Sequence, residues 1–290
     1  KFKLINTCIN WKIMNIHKLI LTITLLITVP ACIFRRKTGT PQVSSSMPKE
    51  ARKRVDSMDD KEALISMEYF RRTKYLESAI NCGQRFLAKS SDQKKCAQIT
   101  LELVDLSMQI KDFEKALKFA KDYKNLYPGS SNLQLACIKE IQCSLALISD
   151  CERDQSQTKE TIELAKEFLK NFEHSEYTNE VYSALKVCYE TVFESEKGII
   201  ESYINRHYVI AHTAPLQAAQ LRLEKLKEDY AQLVDMGTAR VLDLEIKLAQ
   251  VQKQDSVVQS KLQELTSKYP DFAAQKSYVA QQAKRPMFRF

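Results

Sequence analysis

Lys111-Asp-Phe-Glu-Lys-Ala-Leu-Lys-Phe-Ala-Lys-Asp-Tyr-Lys-Asn-Leu-Tyr-Pro128 is the stretch from which the fold can be read. Phe113, Ala116, Leu117, Ala120, Tyr123, Leu126 and Tyr127 recur at helical spacing and share one face, and Pro128-Gly129 stops the helix. The same pattern returns elsewhere. Thirty-seven residues earlier, Ala79-Ile80 stands for Ala116-Leu117, Gly83 for Ala120 and Phe86 for Tyr123. Forty-five residues later come Thr161-Ile162, Ala165, Phe168 and Phe172. Near the C-terminus, Val257, Leu262, Leu265 and Tyr269-Pro270 repeat the ending.

Each feature of the repeat has a packing reason. A small residue lets two helices cross closely, an aromatic fills the gap towards the next pair, and Pro breaks the chain between units. This is the logic of tetratricopeptide repeats, whose period is about 34 residues. A helix pair cannot bury its apolar face alone, so neighbouring pairs must stack. The expected fold is all-α, a superhelical stack of about five tetratricopeptide-like helix pairs. The pairs are placed at 60–89, 92–127, 131–172, 176–234 and 238–268. The polar stretch Ser149–Thr158 is an inserted loop. In the fourth unit a helix through Tyr182–Glu194 runs on towards Arg206, and Thr213 and Pro215 mark a fresh start.

Composition agrees. The 290 residues include only 5 Gly and 7 Pro. Phosphate loops and tight strand turns need Gly, because it reaches positive φ freely, so a nucleotide-binding α/β fold or a turn-rich β-sandwich is disfavoured. The formal charge of +8 overstates the body. Lys1, Lys3, Lys12 and Lys18 belong to residues 1–31, which hold no acids, leaving 40 basic against 36 acidic residues beyond them. Those charges are interspersed, with small basic clusters at Arg35–Lys37, Arg52–Arg54 and Lys284–Arg289. No concentrated basic stripe marks a nucleic-acid partner.

The most specific local signal lies upstream. An apolar run of about ten residues, Leu19–Thr28, is followed by Val29-Pro30-Ala31-Cys32. A spanning helix needs roughly 20 residues and a signal-peptide core roughly 7–15. A small residue directly before Cys is the pattern of a lipoprotein signal, with cleavage after Ala31 and diacylation of Cys32. Pro30 is unusual in that box. Met14 gives an ordinary leader length, so residues 1–31 are read as upstream residues plus signal peptide. Residues 32–58 are read as a lipidated flexible tether, 59–270 as the repeat domain and 271–290 as a basic tail. Two acyl chains make a stable anchor where one binds only marginally.

Three segments resemble the BamD family, the outer-membrane lipoproteins of the β-barrel assembly machinery. The first is Asp112-Phe-Glu-Lys-Ala-Leu with Leu-Tyr-Pro-Gly129. The second is Glu152-Arg-Asp-Gln-Ser-Gln-Thr158, with Ile162–Lys170 and His174-Ser-Glu-Tyr177. The third is Glu194-Ser-Glu, Glu201-Ser-Tyr203 and Arg206. The chain departs from the family pattern at Phe172-Glu173 and Ser90-Ser91, where Tyr-Pro is usual, and in a longer 207–231 region. The resemblance implies an outer-membrane-anchored scaffold on the periplasmic face. Its N-terminal repeats would receive unfolded outer-membrane proteins, with Tyr69, Phe70 and Arg71 as client-groove candidates. Its C-terminal repeats would dock on the barrel-forming subunit through Glu201, Tyr203 and Arg206, alongside other assembly lipoproteins. The alternative is another tetratricopeptide envelope lipoprotein, serving cell-envelope growth or secretion and pilus assembly.

Signals for catalysis are missing. Cys82, Cys96, Cys137, Cys143, Cys151 and Cys188 form no C-x-x-C pair, and His174, His207 and His212 are scattered, so no metal site is expected. Cys143–Cys151 or another pair is able to bridge in an oxidising compartment, with connectivity open. The adjacent Asp59-Asp60 suits a helix N-terminus better than acid–base work. The reading is a non-enzyme with no cofactor other than covalent lipid on Cys32.

Overall fold

A computed structural model of the chain describes residues 47–210 and 214–276, the side chains of 207–210 excepted. Met14, Ala31, Cys32, His212, Thr213, the side chain of His207 and the tail from residue 277 lie outside the described residues. Every element below belongs to one compact unit that begins at Pro48.

Among the described residues all regular structure is helical. The first pair is α1 (Asp60–Arg72) and α2 (Leu76–Lys89), and the second is α3 (Gln93–Gln109) and α4 (Phe113–Leu126). The third is α5 (Leu133–Ala146) and α6 (Ser156–Asn171), and the fourth is α7 (Thr178–Ile210) and α8 (Ala214–Tyr230). The fifth is α9 (Gly237–Val251) and α10 (Asp255–Lys268), followed by the short α11 (Pro270–Ala274). Successive helices pack side by side along the chain, so the expected all-α stack of five pairs is what the chain adopts.

Two expectations at the ends need correction. Residues 50–52 and 55–57, assigned to the tether, form 3-10 turns that pack on α1 and α2. Ala51 and Met58 are buried there, and Arg85 Nε donates to the Met58 carbonyl at 2.9 Å. At the other end α11 and Lys276, assigned to the basic tail, fold back on the last pair. The reason is common to both: the outermost pair of a stack exposes an apolar face that something must cover.

The helix boundaries follow from capping. Asp59 accepts from the Glu62 backbone N–H at 2.8 Å while its own N–H donates to Glu62 Oε2 at 3.2 Å, a reciprocal box. Asp92 and Asp112 accept in the same way from Lys95 and Lys115, each at 3.1 Å. Between the helices of the first, second and fifth pairs the chain turns through Lys74, Lys111 and Lys253, with φ of 63°, 61° and 57°. The following N–H reaches back to Phe70, Ser107 or Ala249 at 2.9–3.0 Å, closing a left-handed C-terminal turn in each case. Lysine sits there where glycine would be unstrained.

Packing bears out the repeat logic at the small and aromatic positions, while Val257 is exposed. Ala79, Gly83, Ala116, Ala120 and Ala165 are all buried at helix crossings. A Cβ on Gly83 would lie 2.7 Å from Leu103 Cδ2 and 3.1 Å from Met67 Sδ, so the crossing tolerates no larger residue without a shift. Phe86, Tyr123 and Phe168 are buried behind them. Tyr127 and Phe172 tilt against Tyr123 and Phe168 at 5.2 and 5.0 Å between ring centroids. Leu126 departs from expectation. It is 66% exposed, and Phe119 takes the buried place, because Tyr127 folds back over Tyr123 and closes the face before Leu126 can join it.

The inserted loop is held by a glutamine. Gln155 Nε2 donates to the carbonyls of Asp150 at 3.0 Å and Arg153 at 2.9 Å, and its Oε1 accepts from the buried Thr158 hydroxyl at 2.8 Å. The Arg153-Asp-Gln155 segment is thus a loop staple.

Replacing Lys74 or Lys111 by Gly is expected to stabilise the chain by about 1 kcal/mol each, by relieving the left-handed backbone. Thermal melts followed by helical circular dichroism check this; an unchanged or lowered Tm for both variants contradicts it.

Candidate partner-docking surface

Helix α7 is the element on which the docking candidates sit, and its 33 residues have no equal among the described helices. Its length comes from serving two cores. Val181, Ala184, Leu185, Cys188 and Val192 pack with Ile138, Ile162 and Phe168 of the third pair. Phe193, Ile200 and Ile204 pack with Ala219 and Leu223 of α8, and with Val241 and Leu244 of α9.

Ion pairs flank that apolar core along the seam between α7 and α9. Lys186 meets Asp235 at 2.7 Å on the exposed edge. Further in, Arg240 pairs with Glu190 at 2.7 Å and with Glu194, and its guanidinium lies 4.2 Å from the Phe193 ring centroid. Glu194 also takes Lys197 at 2.9 Å. Burial pushes the Glu194 carboxyl up, but Lys197 and Arg240 outweigh it and hold it below the usual carboxylate range. Beyond, Lys247 bridges Glu201 at 2.9 Å and the buried Asp243 at 3.1 Å, and Lys276 reaches the same Asp243 at 3.1 Å. Burial lowers the Lys247 pKa, but Glu201 and Asp243 carry it above the ordinary lysine value.

This geometry separates the three docking candidates. Glu201 is half-buried and spends its charge on Lys247. Tyr203 is half-buried and packs on the core around Ile200 and Ile204. Arg206 is exposed. Glu201 and Arg206 line one shallow depression with Gly198, Ser202 and Asn205, and Tyr203 is not part of it. A Cβ built on Gly198 meets nothing within 4 Å, so no neighbour among the described residues requires glycine there. The sequence reading missed Gly198, and also Arg240 and Lys247, since a lone basic residue on a helix carries no signal of its partner.

The client-groove candidates are also split. Phe70 is buried in the first pair and is corrected from groove to core, because its ring packs inward and meets Tyr69 edge-on at 5.5 Å. Arg71 pairs with Glu68 at 2.6 Å and crosses to Glu102 of α3 at 3.2 Å. It borders a depression shared with Lys74, Glu102, Asp105 and Leu106. Burial pushes the Glu102 carboxyl above its ordinary value, with Arg71 opposing. Asp105 in turn pairs with Lys139 of α5, so charged bridges link the first helices of successive pairs.

Among the described residues no group of His, Cys, Asp and Glu is arranged to hold a metal, and no helix is long and apolar enough to cross a membrane. The six described cysteines are free thiols. Burial pushes Cys82, Cys143 and Cys188 up to about 11.

Residues 60–253, more than half of the chain, match the protein family described as YfiO, outer membrane lipoprotein. A search of curated proteins gave no match. The match spans the stack from α1 to the turn after α9, and the chain belongs to that family.

Arg240→Met is expected to destabilise the fold by about 1–3 kcal/mol. That is below the loss for a fully buried pair, because Glu190 and Glu194 stay partly hydrated. Urea melts measure it, and a loss under about 0.5 kcal/mol would show the seam to be ornamental. For the thiols, the folded state holds protons that the unfolded state releases from about pH 9 upward, so this stabilisation is present below that pH and fades above it. At about pH 8, below the ordinary thiol pKa, a maleimide pulse read by mass is expected to spare Cys82, Cys143 and Cys188 until urea unfolds the chain. Rapid native labelling of all three contradicts that.

Proposed function

We propose that this chain is a non-catalytic, lipid-anchored scaffold of outer-membrane protein assembly. Diacylated Cys32 would hold it on the periplasmic face of the outer membrane. Its N-terminal repeats would receive unfolded outer-membrane chains, and the exposed end of α7 would dock on the barrel-forming subunit. Family membership and the helical stack support a scaffold of this kind, since stacked pairs present long faces to a partner.

The observation that carries the docking part is Gly198. Glycine inside a helix costs about 1 kcal/mol relative to alanine. No described residue repays that cost here, because nothing described lies within 4 Å of a Cβ at Gly198. The glycine lies in a stripe with Ser202, Asn205 and Arg206, so the helix backbone is bare beside an exposed cation. A partner surface that approaches the backbone closely and carries an acid for Arg206 explains both features. A second reading, a scaffold for envelope growth or for secretion and pilus assembly, is favoured by the internal commitment of Glu201 to Lys247 and of Tyr203 to the core.

Affinity purification from mildly solubilised membranes tests the two readings. Gly198→Leu and Arg206→Glu are each expected to reduce recovery of a barrel-forming subunit by about tenfold while leaving helicity unchanged. Wild-type recovery by both variants would remove α7 from the contact. A bait whose mass begins at diacylated Cys32 but which brings no such subunit would move the scaffold to another envelope complex.

A further inference from the structure

Four charges run in alternation across the last two pairs: Glu201 on α7, Lys247 and Asp243 on α9, and Lys276 just beyond α11. Lys247 Nζ stands 2.9 Å from Glu201 and 3.1 Å from Asp243, and Lys276 Nζ stands 3.1 Å from Asp243. Two carboxylates thus share two ammonium groups, and the run is balanced only while Lys276 is in place.

That last member is held by a short strap. Lys276 follows α11, a helix of five residues. Its anchors are the buried Ala273, which joins the core of Leu242 and Leu265, and Phe272, partly buried against the same core. The Phe272 ring lies beneath the Lys276 ammonium, with its centroid 4.5 Å away. A short terminal element with few buried contacts opens at a fraction of the free energy of global unfolding.

Losing Lys276 would not fall equally on the two carboxylates. Asp243 is 2% exposed, so water cannot replace the departed cation, and an uncompensated buried charge is costly. The Glu201 side chain is 34% exposed, and water can solvate it instead. Lys247 lies one turn from Asp243 on the same helix, so it settles there without any backbone movement. Glu201 is then the carboxylate that gives up its partner.

We propose that the strap formed by α11 and Lys276 is a charge switch for the α7 surface. Seated, it leaves Lys247 shared and Glu201 neutralised, so Arg206 sets the sign of the depression that Glu201 and Arg206 both line. Lifted, it sends Lys247 to Asp243 and returns the Glu201 charge to that depression, where it opposes any acid brought to Arg206. A partner that takes hold of residues 270–276 thereby changes binding at α7, a site with which the strap shares no residue. The consequence for docking rests on the role proposed above for α7; the transfer of charge within the fold does not.

Carboxyl footprinting of the full chain tests this, using carbodiimide and glycine ethyl ester at neutral pH with labels located by mass. Lys276→Met, with helicity unchanged by circular dichroism, is expected to label Glu201 at least about threefold faster than wild type. Asp243 is expected to stay protected, and Lys276→Arg is expected to behave as wild type. Unchanged labelling of Glu201 in Lys276→Met overturns the switch, and so does a rise at Asp243 in its place. If Lys276→Met loses the last pair, Phe272→Leu decides, because it keeps an apolar anchor but withdraws the ring beneath Lys276. Glu201 labelling is expected to rise in that variant too, and no rise overturns the switch. The footprint needs no partner, so it can fail while the Gly198→Leu and Arg206→Glu purifications succeed, or the reverse.

Discussion

Close crossing of the two helices within each pair is the constraint on which the stack depends. Ala79, Gly83, Ala116, Ala120 and Ala165 bring the helix backbones near enough for the aromatics behind them to reach the next pair. At Gly83 even a methyl would press on Leu103 and Met67, and at the alanines a longer side chain would push the helices apart. Phe86, Tyr123 and Phe168 would then lose their neighbours on both sides. Each pair therefore depends on the next, and the outermost ones are covered by short local devices: the turns at 50–52 and 55–57, and α11.

Cohesion changes character along the chain. The first three pairs meet through apolar side chains, with charged bridges such as Arg71–Glu102 and Asp105–Lys139 along one edge. The fourth and fifth meet through a seam in which α7 supplies the acids Glu190, Glu194 and Glu201, and α9 supplies Arg240 and Lys247. Isolated charges at such depth would be costly, but here each is met by an opposite charge, and Arg240 also lies over the Phe193 ring. One consequence is that α7 is gripped along one side for most of its length. Gly198, Ser202, Asn205 and Arg206 line an exposed depression beside that seam, with Glu201 shared between the two. A binding surface carried on a helix so held is better defined than one on a loop.

The candidate sites were less legible than the fold, and the reason is physical. Periodicity reports which side of a helix is apolar, and it led correctly to the buried Ala116, Ala120 and Tyr123. It does not report what a polar residue touches across space. Glu201 looks the same in sequence whether it faces a partner or Lys247, some forty-six residues away. Phe70, adjacent to two arginines, reads as surface or core with equal ease, and only packing shows it to be core. Gly198 shows the converse: a glycine on a helix is visible in sequence, but that no described residue packs against it is known only once its surroundings are known.

The sequence by itself determined the class, the number of pairs and, to within a few residues, where each pair begins and ends. Those are settled by local chemistry: apolar spacing, aspartate caps, and small residues recurring with the repeat. Tertiary structure alone decided that Gln155 staples the inserted loop and that charges bind α7 to α9. These depend on which residues from distant repeats come within a few ångströms of one another, and repeat spacing does not encode that distance.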